Sequence, residues 1–87
     1  MALATAGQSS DLTPQDRSFI EAHFRAAKQA EAAGNSAGAI AEYKIIIRKY
    51  PKAAAPVYQN LGLLYYGERQ YAEAITTFEA GLRVVAR

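Results

Sequence analysis

Apolar side chains recur at intervals of three and four residues along most of this chain, in segments that glycine and proline separate. Such spacing is typical of helices that bury one face, because three or four residues complete about one helical turn. Proline at the start of a segment and glycine after its end are the usual helix boundaries. The pattern therefore predicts an all-α fold of four helices, arranged as two antiparallel hairpins.

The first two helices have clear boundary signals. Thr13 supplies a hydroxyl that caps a helix, and Pro14 fits the first turn because its missing N–H would have no partner there. This helix is expected to continue to about Ala33 and to close at Gly34. The second helix is expected to end near Tyr50, since the proline that follows disfavours helical geometry at that position.

The second hairpin follows a short connector, predicted at residues 52–55. The third helix is expected from Pro56 to Gly67, and the fourth carries an apolar stripe, Ala74, Ile75, Phe78, Leu82 and Val85. Residues 1–12 are small and polar and lack a period, so we expect a disordered or flexible tail before a domain of residues 13–87.

A shift of 35 residues relates the second helix to the fourth, since residues 38–43 (GAIAEY) align with residues 73–78 (EAITTF). In the second half of the chain, the aromatic, Leu-Gly, aromatic, Ala and aromatic positions of a 34-residue pattern are filled in order by Tyr58, Leu61, Gly62, Tyr65, Ala74 and Phe78. On these residues the chain resembles the tetratricopeptide repeat family, with repeats at about 20–53 and 55–87.

This resemblance implies two tetratricopeptide-like hairpins that stack into a short right-handed α-solenoid. The first repeat is the weaker copy, because it keeps the turn and second helix (Gly34, Ala39, Tyr43 and Pro51) but has small residues in its first helix. In the second hairpin, Gly62 is expected to let the paired helix approach closely, with Ala74 facing it. Tyr65 and Phe78 are expected to fill the space between the hairpins.

The composition of the chain argues against disulfides, catalytic triads and metal sites. The chain has no cysteine, one histidine and a net charge of +2. Disulfides are therefore excluded, a catalytic triad can scarcely be assembled, and the lone His23 is expected to be a helix-face residue. Apolar runs are far shorter than the roughly 20 residues that span a bilayer. We expect a soluble, noncatalytic protein with no metal, no cofactor, no nucleic acid partner and no membrane insertion.

A surface of the third helix stands out because Gln59, Leu63 and Tyr66 project away from the face used inside the hairpin. The resemblance implies that this side of the first helix of each hairpin lines a concave groove that binds a peptide or a partner protein. The predicted groove consists of Phe24, Lys28, Glu31, Gln59, Asn60, Leu63 and Tyr66.

A second surface is the outer face of the fourth helix, where Phe78, Leu82 and Val85 have no following helix in this sequence to bury them. The alternative function is therefore self-association, in which this face forms a homodimer. A chain that is a fragment of a longer repeat protein would explain the same face.

Two further points stay open. The 35-residue period also equals that of pentatricopeptide RNA-binding repeats, although two units with so little positive charge would attract RNA weakly. The compartment is not determined, since Ala4, Thr5 and Ala6 resemble a signal-cleavage region without the apolar core that should precede it.

Overall fold

The computed structural model describes residues 12–85, so the predictions for residues 1–11, including the cleavage-like Ala4 to Ala6, lie outside the described residues. This part of the chain forms four helices, α1 (Pro14–Ala32), α2 (Ser36–Lys49), α3 (Ala55–Gly67) and α4 (Tyr71–Val85). Each helix packs on the next one along the chain, α1 on α2, α2 on α3 and α3 on α4. The predicted all-α fold of two hairpins is confirmed, with boundaries within one residue of those expected.

The first two helices begin at side-chain caps. The Asp16 backbone N–H donates to the Thr13 hydroxyl at 3.0 Å, and the Thr13 N–H donates to the Asp16 carboxylate at 2.9 Å. This reciprocal pair satisfies two N–H groups that have no partner inside the helix. At the start of α2, the Asn35 side chain accepts from the Gly38 N–H at 2.9 Å. Local sequence therefore fixes where both helices begin.

The two hairpin turns have the same backbone geometry. Gly34 has a φ of 78° and Arg69, 35 positions later, has a φ of 64°. After each of them, an N–H donates back to a carbonyl five residues earlier at 2.8 Å, from Asn35 to Ala30 and from Gln70 to Tyr65. The predicted glycine, Gly67, is the last residue of α3, but an arginine holds the left-handed position that closes the helix.

The core lies where α2 is enclosed by α1 on one side and α3 on the other. Ala27 and Ala39 are completely buried, and their small side chains bring the helix backbones of α1 and α2 close together. The core cluster consists of Ala27, Ala39, Tyr43, Ile46, Ala54, Val57 and Leu61. Because this cluster spans both hairpins, it fixes the position of α3 on the first hairpin.

The second hairpin is held by glycines that let α3 and α4 approach each other. A Cβ atom on Gly62 would overlap the ring of Phe78, and one on Gly81 would lie 2.7 Å from the Cβ of Tyr58. The atoms nearest to Gly62 are those of the Phe78 ring, and the expected packing of Gly62 against Ala74, which is buried, stays a prediction. Phe78 fills a gap inside the second hairpin and not the space between the hairpins, whereas Tyr65 does pack against the shared core.

Candidate functional site

Four of the predicted groove residues meet around Tyr43, a residue of α2 whose side chain is buried. The ring of Phe24 packs edge-on against the Tyr43 ring, with centroids 5.6 Å apart. The Tyr43 hydroxyl donates to a Glu31 carboxylate oxygen at 2.6 Å, and the Lys28 ammonium lies 3.7 Å from the other oxygen. The Asn60 side chain of α3 interacts with the same hydroxyl. We call these five residues the Tyr43 cluster.

The electrostatics of the Tyr43 cluster keep the Tyr43 hydroxyl neutral. Burial raises the pKa of Tyr43 far above its usual value, the hydrogen bond and negative charge of Glu31 raise it further, and Asn60 offsets part of this rise. The hydroxyl is therefore a permanent donor at physiological pH. It orients the Glu31 carboxylate, which stays partly exposed to solvent and can accept hydrogen bonds from a bound peptide.

The other three predicted groove residues, Gln59, Leu63 and Tyr66, follow one another along α3 and are exposed. Leu63 is 56% exposed and Tyr66 is 60% exposed. The Tyr66 ring also packs edge-on against Tyr71 of α4, with centroids 5.3 Å apart. This row therefore lies within the second hairpin, whereas the Tyr43 cluster joins the two hairpins.

The self-association residues lie in a cleft between the first turns of α3 and the last turns of α4. This cleft, which we call the end groove, has a volume of about 450 Å³. Leu82 and Val85 are 64% and 62% exposed, whereas Phe78 is half-buried because its ring lies on Gly62. The end groove is lined by Ala55, Pro56, Tyr58, Gln59, Phe78, Gly81, Leu82 and Val85.

Gln59 thus belongs to the same cleft as Leu82 and Val85, although the sequence places them on two separate surfaces. The predicted self-association face did not include two further exposed residues of α4, Tyr71 and Ile75, although Ile75 is part of the predicted apolar stripe. Their signal is present in the sequence, since residues 71, 75, 78, 82 and 85 alternate steps of four and three. That alternation is the spacing of an apolar seam along one side of a helix.

A separate aromatic cluster joins the start of α1 to the end of α2. The Lys49 ammonium lies 4.6 Å from the centre of the Phe19 ring, and the Tyr50 hydroxyl donates to Asp16 at 2.6 Å. The hydrogen bond to Asp16 raises the pKa of Tyr50 to about 12. Nearby, the Nδ1 atom of His23 lies 2.6 Å from the Glu42 carboxylate. These contacts connect α1 to α2, and Lys49 takes part in them through its position over the Phe19 ring.

In residues 12–85, no group of three or more His, Cys, Asp or Glu side chains is placed to hold a metal ion. Over the same range, no helix combines the length and apolar character needed to cross a membrane.

Two hairpins with the same turn, related by 35 residues and stacked through a shared core, define a helical repeat protein. The family model described as Tetratricopeptide repeat matches residues 21–53. This match covers most of the first hairpin, where the motif residues are fewer, and it confirms the predicted resemblance. Repeats of this family generally mediate protein–protein interaction. Comparisons with the curated proteins and with the solved structures gave no significant match.

Proposed function

We propose that this chain is a noncatalytic protein-interaction module that binds a peptide or a partner protein along the exposed sides of α1 and α3. The observation that carries this proposal is the Tyr43 cluster. There, a buried tyrosine orients the carboxylate of Glu31 beside Asn60, at the junction of the two hairpins. A carboxylate held in one orientation loses less entropy when it accepts a hydrogen bond from a peptide.

The proposed surface combines polar and apolar groups. Glu31 and Asn60 offer an acceptor and an amide, and Lys28 adds a half-exposed positive charge. Farther along α3, Leu63 and Tyr66 expose apolar area that a partner would remove from water. Such a mixture suits an extended or helical peptide, with apolar anchors supplying affinity and polar groups setting register.

The test is a selection of peptides from a random library against the full chain, followed by fluorescence anisotropy on the selected peptides. We expect Tyr66→Ser and Glu31→Gln each to weaken binding about tenfold, the cost typical of removing an interface anchor. Ala41→Ser, at an exposed position of α2, is the control and should bind like the unchanged chain. Selected peptides that bind all four proteins equally, or a selection that yields no peptide, would contradict the proposal.

A second candidate function is self-association through α4, and the exposure of Leu82 and Val85 at the end groove favours it. A homodimer would bury both side chains on both copies at once. The mass of the chain in solution, measured by light scattering, should then be twice the chain mass and should halve in Leu82→Glu. A monomer that Leu82→Glu leaves unchanged would rule this candidate out.

A further inference from the structure

The end groove has a counterpart inside the same chain. Each residue that lines the end groove has an equivalent 35 positions earlier in the sequence. These equivalents form a surface of the first hairpin, on α1 and α2. Residues 20, 21, 23 and 24 of α1 correspond to residues 55, 56, 58 and 59, and residues 43, 46, 47 and 50 correspond to residues 78, 81, 82 and 85. The matching left-handed turns at positions 34 and 69 place these two sets at the same points of the two hairpins.

In the first hairpin this surface is covered. Tyr43 and Ile46 are completely buried in one cluster with Val57 and Leu61 of α3, and Ile20, Phe24 and Ile47 pack against that cluster. The occupant of the surface is therefore a helix, α3, which inserts aliphatic side chains at two positions four residues apart. Ala54, just before that helix, is small and also buried.

In the second hairpin, two of the corresponding apolar positions near the end of α4 are uncovered. Leu82, the counterpart of the half-buried Ile47, is 64% exposed, and Val85, the counterpart of the half-buried Tyr50, is 62% exposed. Tyr58 is buried against Gly81, and Phe78 is half-buried by its contact with Gly62. The end groove therefore has the position and the apolar character of a helix-binding surface, without a helix bound to it in residues 12–85.

From this internal equivalence we propose that the end groove binds an amphipathic helix of a partner protein. The helix would present aliphatic side chains at positions i and i+4, preceded by a small residue, as Ala54, Val57 and Leu61 do within the chain. This inference goes beyond the proposed function, since it uses the cleft between α3 and α4 and none of the residues of the Tyr43 cluster.

The lining of the end groove specifies how such a helix is recognised. No charged side chain lines it in the described part of the chain, and the Tyr58 hydroxyl already donates to the Pro51 carbonyl at 2.7 Å. Binding should therefore rest on apolar burial and shape, and its affinity should change little with salt.

A second copy of the chain is the less suitable occupant. The apolar residues that its α4 could insert are Tyr71, Ile75, Leu82 and Val85, and the Tyr71 ring is already packed on Tyr66. The ring of Phe78, between Ile75 and Leu82, already packs on Gly62. No free aliphatic pair with the four-residue spacing of Val57 and Leu61 is then left in the described residues of α4.

The experiment uses a labelled synthetic peptide of residues 51–68 (PKAAAPVYQNLGLLYYGE), the segment that occupies the equivalent surface in the first hairpin. Its binding to the full chain is measured by fluorescence anisotropy. We expect saturable binding that weakens at least tenfold with Leu82→Glu, because a buried carboxylate would face the inserted aliphatic groups. Since an isolated helix of this length is marginally stable, the affinity itself should be modest.

Three controls make the result specific. Thr76→Glu places the same charge at an exposed position of α4 outside the end groove and should leave binding unchanged. A peptide with both Val57→Asp and Leu61→Asp should not bind. Glu31→Gln should bind the peptide like the unchanged chain, so that failure of the Tyr43 proposal and failure of this one give different results.

Several outcomes would overturn the inference. These are an absence of saturable binding, equal weakening by Leu82→Glu and Thr76→Glu, or binding that the doubly substituted peptide retains. A mass in solution that is twice the chain mass, and that falls to the mass of a monomer in Leu82→Glu, would also overturn the inference. The occupant of the end groove would then be a second copy.

Discussion

Arg69 holds a backbone conformation that costs energy for any residue with a Cβ atom. Its φ of 64° lies in the left-handed region, where the Cβ approaches the following carbonyl oxygen. At the equivalent turn of the first hairpin, Gly34 adopts a φ of 78° without that cost. One repeat therefore closes with the residue best suited to the turn, and the other closes with a strained one.

Replacing Arg69 by glycine should raise the free energy of unfolding by about 1 kcal/mol, since the strain is relieved while the turn keeps its hydrogen bonds. Urea denaturation followed by circular dichroism measures this change. Gly34→Ala is the matched control and should lower the free energy of unfolding by a similar amount, because no atom lies within 4 Å of the added Cβ and the effect is that of the backbone alone. A loss of stability in Arg69→Gly would contradict the assignment of strain.

Asp16 and Tyr50 connect the beginning of α1 to the end of α2, and their hydrogen bond makes stability depend on pH. The pKa of Asp16 is lowered, chiefly by the Thr13 backbone N–H and then by the Tyr50 hydroxyl. The pKa of Tyr50 is raised to about 12 by the same hydrogen bond to Asp16, together with burial and the charge of Asp16. The folded chain therefore favours an ionised Asp16 and a neutral Tyr50.

These two pKa shifts decide how the stability of the folded chain changes with pH. Because the pKa of Tyr50 is higher in the folded state, its contribution is complete below about pH 10, the usual value, and is lost as pH rises towards 12. Because the pKa of Asp16 is lower in the folded state, its contribution is present above the usual value and is lost as pH falls through the folded value.

Thermal melts of the chain and of Tyr50→Phe test this pair across the alkaline range. The unchanged chain should be more stable at pH 8, and the difference should shrink as pH approaches 12, since the remaining tyrosines are the same in both proteins. A difference that stays constant with pH would show that the lost hydroxyl acts without its titration.

At the scale of elements, the second hairpin depends on how closely α3 and α4 approach. Gly81 faces the Cβ of Tyr58, an atom next to the backbone that cannot move aside by rotating the side chain. The ring of Phe78 lies over Gly62 in the same interface. Two glycines thus replace side chains at the points of closest packing, as ridge-into-groove packing requires.

Gly81→Ala should lower the free energy of unfolding by about 1 to 3 kcal/mol, the usual cost of overpacking. Chemical denaturation measures it, and Gly67→Ala is the control. Gly67 lies in the last turn of α3 with no atom within 4 Å of an added Cβ, so this change should leave stability unchanged or raise it by up to about 1 kcal/mol. Equal effects of the two substitutions would show that helix propensity, and not packing against Tyr58, controls the result.

At the scale of the whole molecule, the four helices are unequally enclosed. α2 packs against both α1 and α3 and carries three completely buried residues, Ala39, Tyr43 and Ile46. α4 packs mainly on α3 and leaves an apolar face in solvent. Local opening should therefore cost much less at α4 than at α2.

Hydrogen exchange followed by mass spectrometry should show amide protection that is highest in α2 and lowest in α4. Binding of the 51–68 peptide should raise protection in α4 and at the start of α3 more than in α1, because the end groove lies between those elements. Uniform protection of all four helices would mean that the chain opens in one step and that α4 is no weaker than the rest.

Much of this architecture follows from local signals that a sequence displays. Thr13, Asn35 and the prolines cap or interrupt helices through bonds to their own neighbours, so helix boundaries were predicted within one residue. The repeat of 35 residues predicted the two hairpins, which the structure confirms, and the family model matches residues 21–53 of the first one. Arg69 escaped prediction, because its strained φ is imposed by the hairpin and carries no glycine signal.

The candidate site was less accessible from sequence, because it depends on distances between helices. Periodicity showed that Gln59, Leu63 and Leu82 are on apolar or exposed faces, yet it could not show that Gln59 and Leu82 line one cleft. Nor could it show that Tyr43, which looked like packing alone, orients Glu31. The role in binding of the seven residues of the predicted groove stays a prediction.

The sequence by itself determined the elements, since capping, helical periodicity and the repeat are all encoded within a few turns of the chain. Tertiary structure alone decided that Phe78 lies on Gly62, that Tyr43 of α2 meets residues from both α1 and α3, and that α3 and α4 leave a cleft beside Leu82. The reason is physical. Helix formation depends on near neighbours, whereas the pairing of faces depends on the volume of side chains that are distant in sequence.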